Sequence, residues 1–298
     1  MPFSPKPRRE LSSTYTVSDR SHQEELDRLL IHDQMFTTAL GGVLPEQADP
    51  ASFGRVLDIG CGPGGWLLET ARTYPSISLL VGVDISEKMI GYAQAQASAQ
   101  GLAERVKFYV MDALRPLDFP AEHFDLVNER FGTSWLRVWD WPPFLQECQR
   151  LTRPGGVVRV TEFNLIVESS SPALVQLGEL AIRAFHQAGH LFHARSDGLT
   201  KELARLLHQS GLENVQTRAP VLEYRAGTPE GKLFAEDWAH LFRVIAPFLH
   251  KWTRVSEDYE ALYQQMLQDF PQPDFVAISR PLTAWGTRSL HFSLPVVR

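Results

Sequence analysis

Apolar and polar positions along the chain alternate with two different periods, and the switches between them mark out the elements. Between Ser21 and Leu40 apolar residues return at helical spacing, with Leu26, Leu29, Leu30, Met35 and Phe36 near one face. Ser21 is the predicted N-cap and Gly41-Gly42 the stop. A polar connector follows over 45–52. From Arg55 short apolar runs alternate with helical stretches, the pattern of a parallel sheet covered on both faces. Strands are predicted at 56–59, 79–83, 106–111, 124–128 and 156–161. Ser86 caps a helix that stops at Gly101, residues 141–151 form another, and Arg153-Pro154-Gly155-Gly156 turns into the fifth strand.

The second half reads differently. Residues 168–195 are rich in Ala, Leu, Phe and His, Thr200 caps a helix ending at Gly211, and a strand is predicted over 215–224. Thr228-Pro229 opens a further helix carrying Phe234, Trp238, Leu241, Phe242, Ile245, Leu249 and Trp252 at steps of three and four, which Pro247 should kink or divide. Ser256 opens another helix that ends before Pro271, and 275–278 and 282–285 are strand material. The expected division is an N-terminal extension with a covering helix (1–50), a ligand-binding core (51–165), and the rest of the sheet with helical cap insertions at about 166–198 and 228–270 (166–298).

Composition narrows the class. The 298 residues are 44% hydrophobic, ample for a large core, and the net charge of −6 argues against a nucleic-acid surface. Only Cys61 and Cys148 are cysteines, so no disulfide framework is expected and a reducing, cytoplasmic setting is the simpler reading. The start has prolines and arginines without an apolar run, so no signal peptide is expected. No stretch reaches the roughly 18 apolar residues of a membrane span, so no membrane partner is expected.

The richest chemistry follows the first predicted strand. Gly60, Gly62 and Gly65 satisfy G-x-G-x-x-G, and Asp84 closes the next strand, which alone fits a dinucleotide site. Asp58, inside the strand end, would instead repel a pyrophosphate and favour a ligand bearing an amine and a sulfonium. Asp112 ends the third strand, where it can accept from an adenine amino group. Three acids at consecutive strand ends suit a nucleoside carrying an amino acid.

Val56-Leu57-Asp58-Ile59-Gly60-Cys61-Gly62-Pro63-Gly64 resembles motif I of the class I S-adenosylmethionine-dependent methyltransferases. Val83-Asp84-Ile85-Ser86, Asp112-Ala113, Phe124-Asp125-Leu126-Val127 and Leu151-Thr152-Arg153-Pro154-Gly155-Gly156 continue the resemblance over about 15–225. It implies an α/β fold with a doubly wound, mostly parallel seven-stranded sheet under a helical cap. It also implies methyl transfer from S-adenosylmethionine to an O, N or C nucleophile of a small organic acceptor. Tyr15 with Glu25-Leu26-Asp27-Arg28-Leu29 is similar to the helix that precedes motif I in small-molecule methyltransferases and lies over the cofactor. His32 stands where glutamine is usual, so either His32 or Gln34 faces the cofactor. Trp139-Asp140-Trp141-Pro142 is similar to methyltransferase-like regulators, which leaves a cofactor-binding protein acting through protein partners as the alternative.

On this resemblance Gly60, Cys61 and Gly62 let the backbone approach the methionine moiety, Asp58 holds its amine, and Asp84 takes the ribose hydroxyls. Ile85 and Met89 sandwich the adenine, and Asp112 with the Ala113 N–H reads its edge. Glu129 and Arg130 lie beside the methionine, with Tyr15, Arg28 and His32 above. For a catalytic base the candidates are Glu162, at the fifth strand end, and His186 or His190. With His193 the last two would share a helical face that is a pocket wall, a solvated stripe or, less in keeping with Gly189, a metal site; no metal is expected. The aromatic stripe of 228–270 is core, a lid over the acceptor, or a homodimer interface.

Overall fold

The computed structural model describes residues 14–17, 23–165, 168–253 and 259–290. Ser21 and Ser256, the predicted caps, lie outside them. Helix α1 (Gln23–Ala39) carries Glu24 and Glu25 in its first turn and is stopped by Gly41 and Gly42, both at positive φ. Its buried face departs from the apolar reading: Glu25, Arg28 and His32 are buried along with Leu26, Met35 and Phe36.

Then β1 (Arg55–Ile59), α2 (Gly65–Thr73), β2 (Leu79–Asp84), α3 (Glu87–Ala99), β3 (Val106–Val110), β4 (Phe124–Arg130), α4 (Trp141–Leu151) and β5 (Thr152–Glu162) alternate as the two periods predict. The Ser86 side chain accepts from the Met89 N–H and so caps α3. The predicted turn at 153–156 is instead a bulge inside β5, where the register against β4 shifts. Beyond it come the short strand β6 (Glu168–Ser169), α5 (Pro172–Gln187), α6 (Leu203–Gln209), β7 (Leu212–Arg218) and β8 (Leu222–Arg225). The single strand predicted over 215–224 is therefore two, in different sheets. Pro220 lies at the break and has no N–H to continue a ladder. Thr200 opens a 3-10 turn ahead of α6 without capping it through its side chain. Thr228 does cap α7 (Pro229–Trp252), which runs unbroken through Pro247, and α8 (Tyr259–Asp269), β9 (Val276–Ser279) and β10 (Leu282–Arg288) complete the order.

Seven strands form one sheet in the order β3-β2-β1-β4-β5-β10-β7, parallel except for β10, which is antiparallel to β5 and β7. Alternation along β1 sends Val56 toward α2 and α3 and Leu57 and Ile59 toward α4, so both faces are covered. The chain between β7 and β10 makes the cap: β8 and β9 join β6 in a three-stranded sheet, while α7 lies against α1 and α5. Loops after β1 and β4 diverge where the strand order reverses, the place at which open α/β sheets take ligands.

Candidate active site

Backbone hydrogen bonds fold the glycine loop over that crevice. Gly60 and Cys61 donate to Val83 O at 2.8 and 3.0 Å, and Gly62 donates to Asp84 Oδ2 at 3.0 Å. Asp84 Oδ1 accepts from Ser86 N at 2.8 Å, so the strand-end carboxylate braces both the loop and the start of α3. Gly62 sits at φ +51°, and a Cβ there would project into open space with nothing within 4 Å. The loop thus leaves a backbone-walled cradle that any side chain would fill. Asp112 Oδ1 accepts from Leu114 N at 3.0 Å and Oδ2 pairs with Arg115.

A cavity of about 220 Å3 lies above, and thirteen of the residues singled out from the sequence line it: Tyr15, Arg28, His32, Asp58, Gly60, Cys61, Gly62, Asp84, Ile85, Met89, Asp112, Ala113 and Arg130. Gln34 is exposed, so His32 is the one that faces inward. One side of the cavity is polar and carries the strand-end acids. The other is apolar, walled by Phe131 and Phe163 from the sheet ends, Phe185 from α5, and Trp238, Phe242 and Ile245 from α7.

Asp58 belongs to a polar row across the sheet. Asn128 Nδ2 donates to Asp58 Oδ1 at 2.7 Å, Arg159 Nη1 donates to Asn128 Oδ1 at 2.8 Å, and Arg159 Nε donates to Glu46 Oε1 at 2.7 Å. Strand register places Asp58, Asn128 and Arg159 side by side. The row is buried, and burial pushes the Asp58 carboxyl up to about 7. Glu46 is held below its usual range by the Arg159 guanidinium despite its burial. Burial pushes the Cys61 thiol up.

The roof is a second charged cluster. Arg28 donates to Glu25 through Nε and Nη2, both at 2.9 Å, and Tyr15 OH donates to Glu25 Oε1 at 2.6 Å. Asp237 of α7 reaches Arg28 Nη1 at 3.6 Å and His32 Nδ1 at 2.9 Å, tying the two helices together. Residues 14–17 cross the mouth, with Thr16 N donating to Ser134 O at 2.9 Å. Arg130 pairs with Asp33 at 3.1 Å and donates to Thr37 Oγ1.

Four singled-out residues do not line the cavity. Glu129 alternates with Arg130 along β4 and so points to the opposite face, against Gly132. Glu162 is buried with both oxygens turned to Thr133, accepting from its N at 3.1 Å and its Oγ1 at 2.6 Å. Burial raises Glu129 and lifts Glu162 to about 8, the two carboxyls reinforcing each other at Glu129. The three-histidine face does not form, because α5 ends at Gln187 and Gly189 adopts φ +86°. His186 and His193 are exposed, whereas His190 is buried on Leu136 O, with burial pushing it down to about 4. Among the described residues no group of three His, Cys, Asp or Glu side chains is arranged to hold a metal ion.

A family model described as a methyltransferase domain matches residues 56–156. Those residues thus carry a methyltransferase domain, and the fold around them is that of the class I S-adenosylmethionine-dependent methyltransferases. Among curated methyltransferases, aklanonic acid methyltransferase DauC of Streptomyces is 39% identical over 146 residues, 47% of this chain and 66% of that protein. The ubiquinone biosynthesis O-methyltransferase of Rhizobium etli is 34% identical over 172 residues, 57% of this chain and 64% of that protein. The matched stretches thus span just under two thirds of these two relatives. A Bacillus licheniformis demethylmenaquinone methyltransferase is 28% identical over 176 residues, 54% of this chain and 71% of that protein. Phosphoethanolamine N-methyltransferase 2 of Haemonchus contortus, solved with S-adenosyl-L-methionine, shares the fold at a TM-score of 0.56 and 18% identity, over 94% of this chain and 60% of that one.

In this domain the motif residues were the readable part. Asp237 was missed, although one signal marks it: it falls three residues after Phe234 and four before Leu241, at the spacing of the apolar stripe of α7. Asp33 and Phe163 were missed too, because their place in the wall depends on contacts between distant segments.

Proposed function

We propose that this methyltransferase transfers the methyl group of S-adenosylmethionine to a small, largely apolar, ring-bearing acceptor. One observation carries the reading: a single cavity joins the strand-end acids to an aromatic wall built by the cap. The names of the relatives, methyltransferases of aklanonic acid and of ubiquinone and menaquinone biosynthesis, support an acceptor of that kind.

The cofactor supplies a methyl group already activated on a positively charged sulfur. The chain's task is placement. Asp58 would hold the amine, and Asp84, whose carboxylate also accepts from the Gly62 and Ser86 N–H groups, the ribose hydroxyls. Ile85, Met89, Asp112 and Ala113 would bracket the adenine, and the Gly60–Gly62 backbone would pass close to the methionine moiety. Tyr15 and Arg28 would close the top. Phe131, Phe163, Phe185, Trp238 and Phe242 would exclude water and pack against the acceptor ring. Such alignment supplies about 7–11 kcal/mol of barrier reduction when the geometry is good. Cofactor binding by calorimetry, followed by release of S-adenosylhomocysteine over a panel of hydroxylated aromatic and quinol acceptors, tests the reading. Tight binding with no turnover on any acceptor would refute it and favour a regulatory protein.

A further inference from the structure

Resting on that reading, we infer that His32, held by Asp237, takes the proton from an acidic ring hydroxyl of the acceptor. His32 is buried on α1, yet it lines the cavity where the polar and apolar halves meet. Its ring is framed by Phe131 at 4.7 Å, edge-on, and by Phe163 at 5.7 Å, two of the rings that wall the acceptor side. Nδ1 lies 2.9 Å from Asp237 Oδ2. A carboxylate only accepts, so the nitrogen facing it carries the proton. The neutral ring then turns the lone pair of Nε2 toward the cavity, and Nε2 has no hydrogen-bond partner among the described residues. Asp237 is itself fixed, 1% exposed and 3.6 Å from Arg28, which Glu25 grips with two bonds. The arrangement is an oriented base: a carboxylate sets the tautomer, and the far nitrogen faces the substrate space.

The other cavity-lining groups are less suited. Asp33 is engaged by Arg130, the Cys61 thiol is pushed up by burial, and Asp58, Asp84 and Asp112 lie at the strand ends on the polar side. In the transfer the acceptor O–H bond breaks and its proton passes to His32 Nε2. The oxygen's electron pair forms the new bond to the methyl carbon, and the carbon–sulfur bond breaks with its pair left on sulfur, which becomes neutral. The imidazolium then returns its proton to solvent. Asp237 acts as a positioning residue and touches none of the reacting atoms.

His32→Asn separates this from a merely structural strap, because its amide can still donate to Asp237 but offers no basic nitrogen. On a hydroxylated aromatic acceptor found in the panel, His32→Asn should lower kcat about 10²–10⁴-fold at saturating S-adenosylmethionine, with the lost rate restored in part as pH rises and the acceptor hydroxyl ionises by itself. A second readout needs no cofactor. Nitrogen-15 spectra of the histidine rings should show His32 as the neutral Nδ1–H tautomer in the wild type, and Asp237→Asn should shift that population. A wild-type Nε2–H tautomer, or an undiminished kcat in His32→Asn, overturns the base. A wild type that binds cofactor and methylates nothing overturns the proposed function itself.

Discussion

Asp58 should make cofactor affinity depend on pH, and in a direction the geometry dictates. Its carboxyl is 4% exposed, and burial raises it from 3.8 to about 7 against the favourable bond from Asn128. Without ligand the folded chain therefore keeps a proton that the unfolded chain releases near pH 4. This group's contribution to stability is present below that point and is lost as pH rises toward 7, by up to about 4 kcal/mol. A cationic cofactor reverses the preference, since its ammonium and sulfonium favour the carboxylate. Below about pH 7 binding must expel a proton, so affinity should fall about tenfold for each pH unit of acidification. Above pH 7 it should level off. Titration calorimetry at about pH 6 in two buffers of different ionisation heat would count close to one proton released per cofactor bound. Asp58→Asn, which can still accept from Asn128, should abolish both the slope and the proton. An affinity independent of pH in the wild type, or an unchanged slope in Asp58→Asn, would refute the reasoning.

Three further outcomes follow from the described contacts. Asp84→Ala removes the acceptor of the Gly62 and Ser86 N–H groups as well as the proposed ribose contact; cofactor binding should weaken at least tenfold by calorimetry, in line with about 1.5–3 kcal/mol for a bond to a charged group. Arg159→Met strands the buried Glu46 carboxylate, and urea unfolding should show a loss of about 3–5 kcal/mol, most of it recovered when Glu46→Leu is added. His186→Ala should leave kcat and KM unchanged in the S-adenosylhomocysteine release assay, because His186 is exposed and lies outside the cavity lining.

What was legible in the sequence is what local chemistry determines. The starts of the first four strands, the Ser86 and Thr228 caps and the stops at Gly41 and Gly101 all rest on a few neighbouring residues, and each is within a residue of where the spacing puts it. The acids at three strand ends were readable for the same reason, since a parallel sheet delivers every strand end to one edge. The errors lie where a neighbour's preference was overridden or skipped. Gly189 was treated as a weakness in a helix when its positive φ ends one, and Pro220 was read through as strand. Glu129 and Arg130 were assigned together, although adjacent strand residues must face apart. The roof was illegible for a different reason: Arg28 and His32 meet Asp237 across about two hundred residues of chain, and no periodicity encodes that meeting.

That long-range closure also sets an order of assembly. The chain leaves the ribosome with strands β1 to β5 first, yet β10, the last strand described, must slot between β5 and β7 to complete the sheet. Asp237 likewise emerges long after the α1 residues it joins. Until then β5 has a bare edge and His32 lacks its carboxylate. Pairings so distant in sequence form slowly. The α7 side of the acceptor wall is therefore late to exist, and a nascent chain can offer its glycine loop well before it can offer a closed pocket.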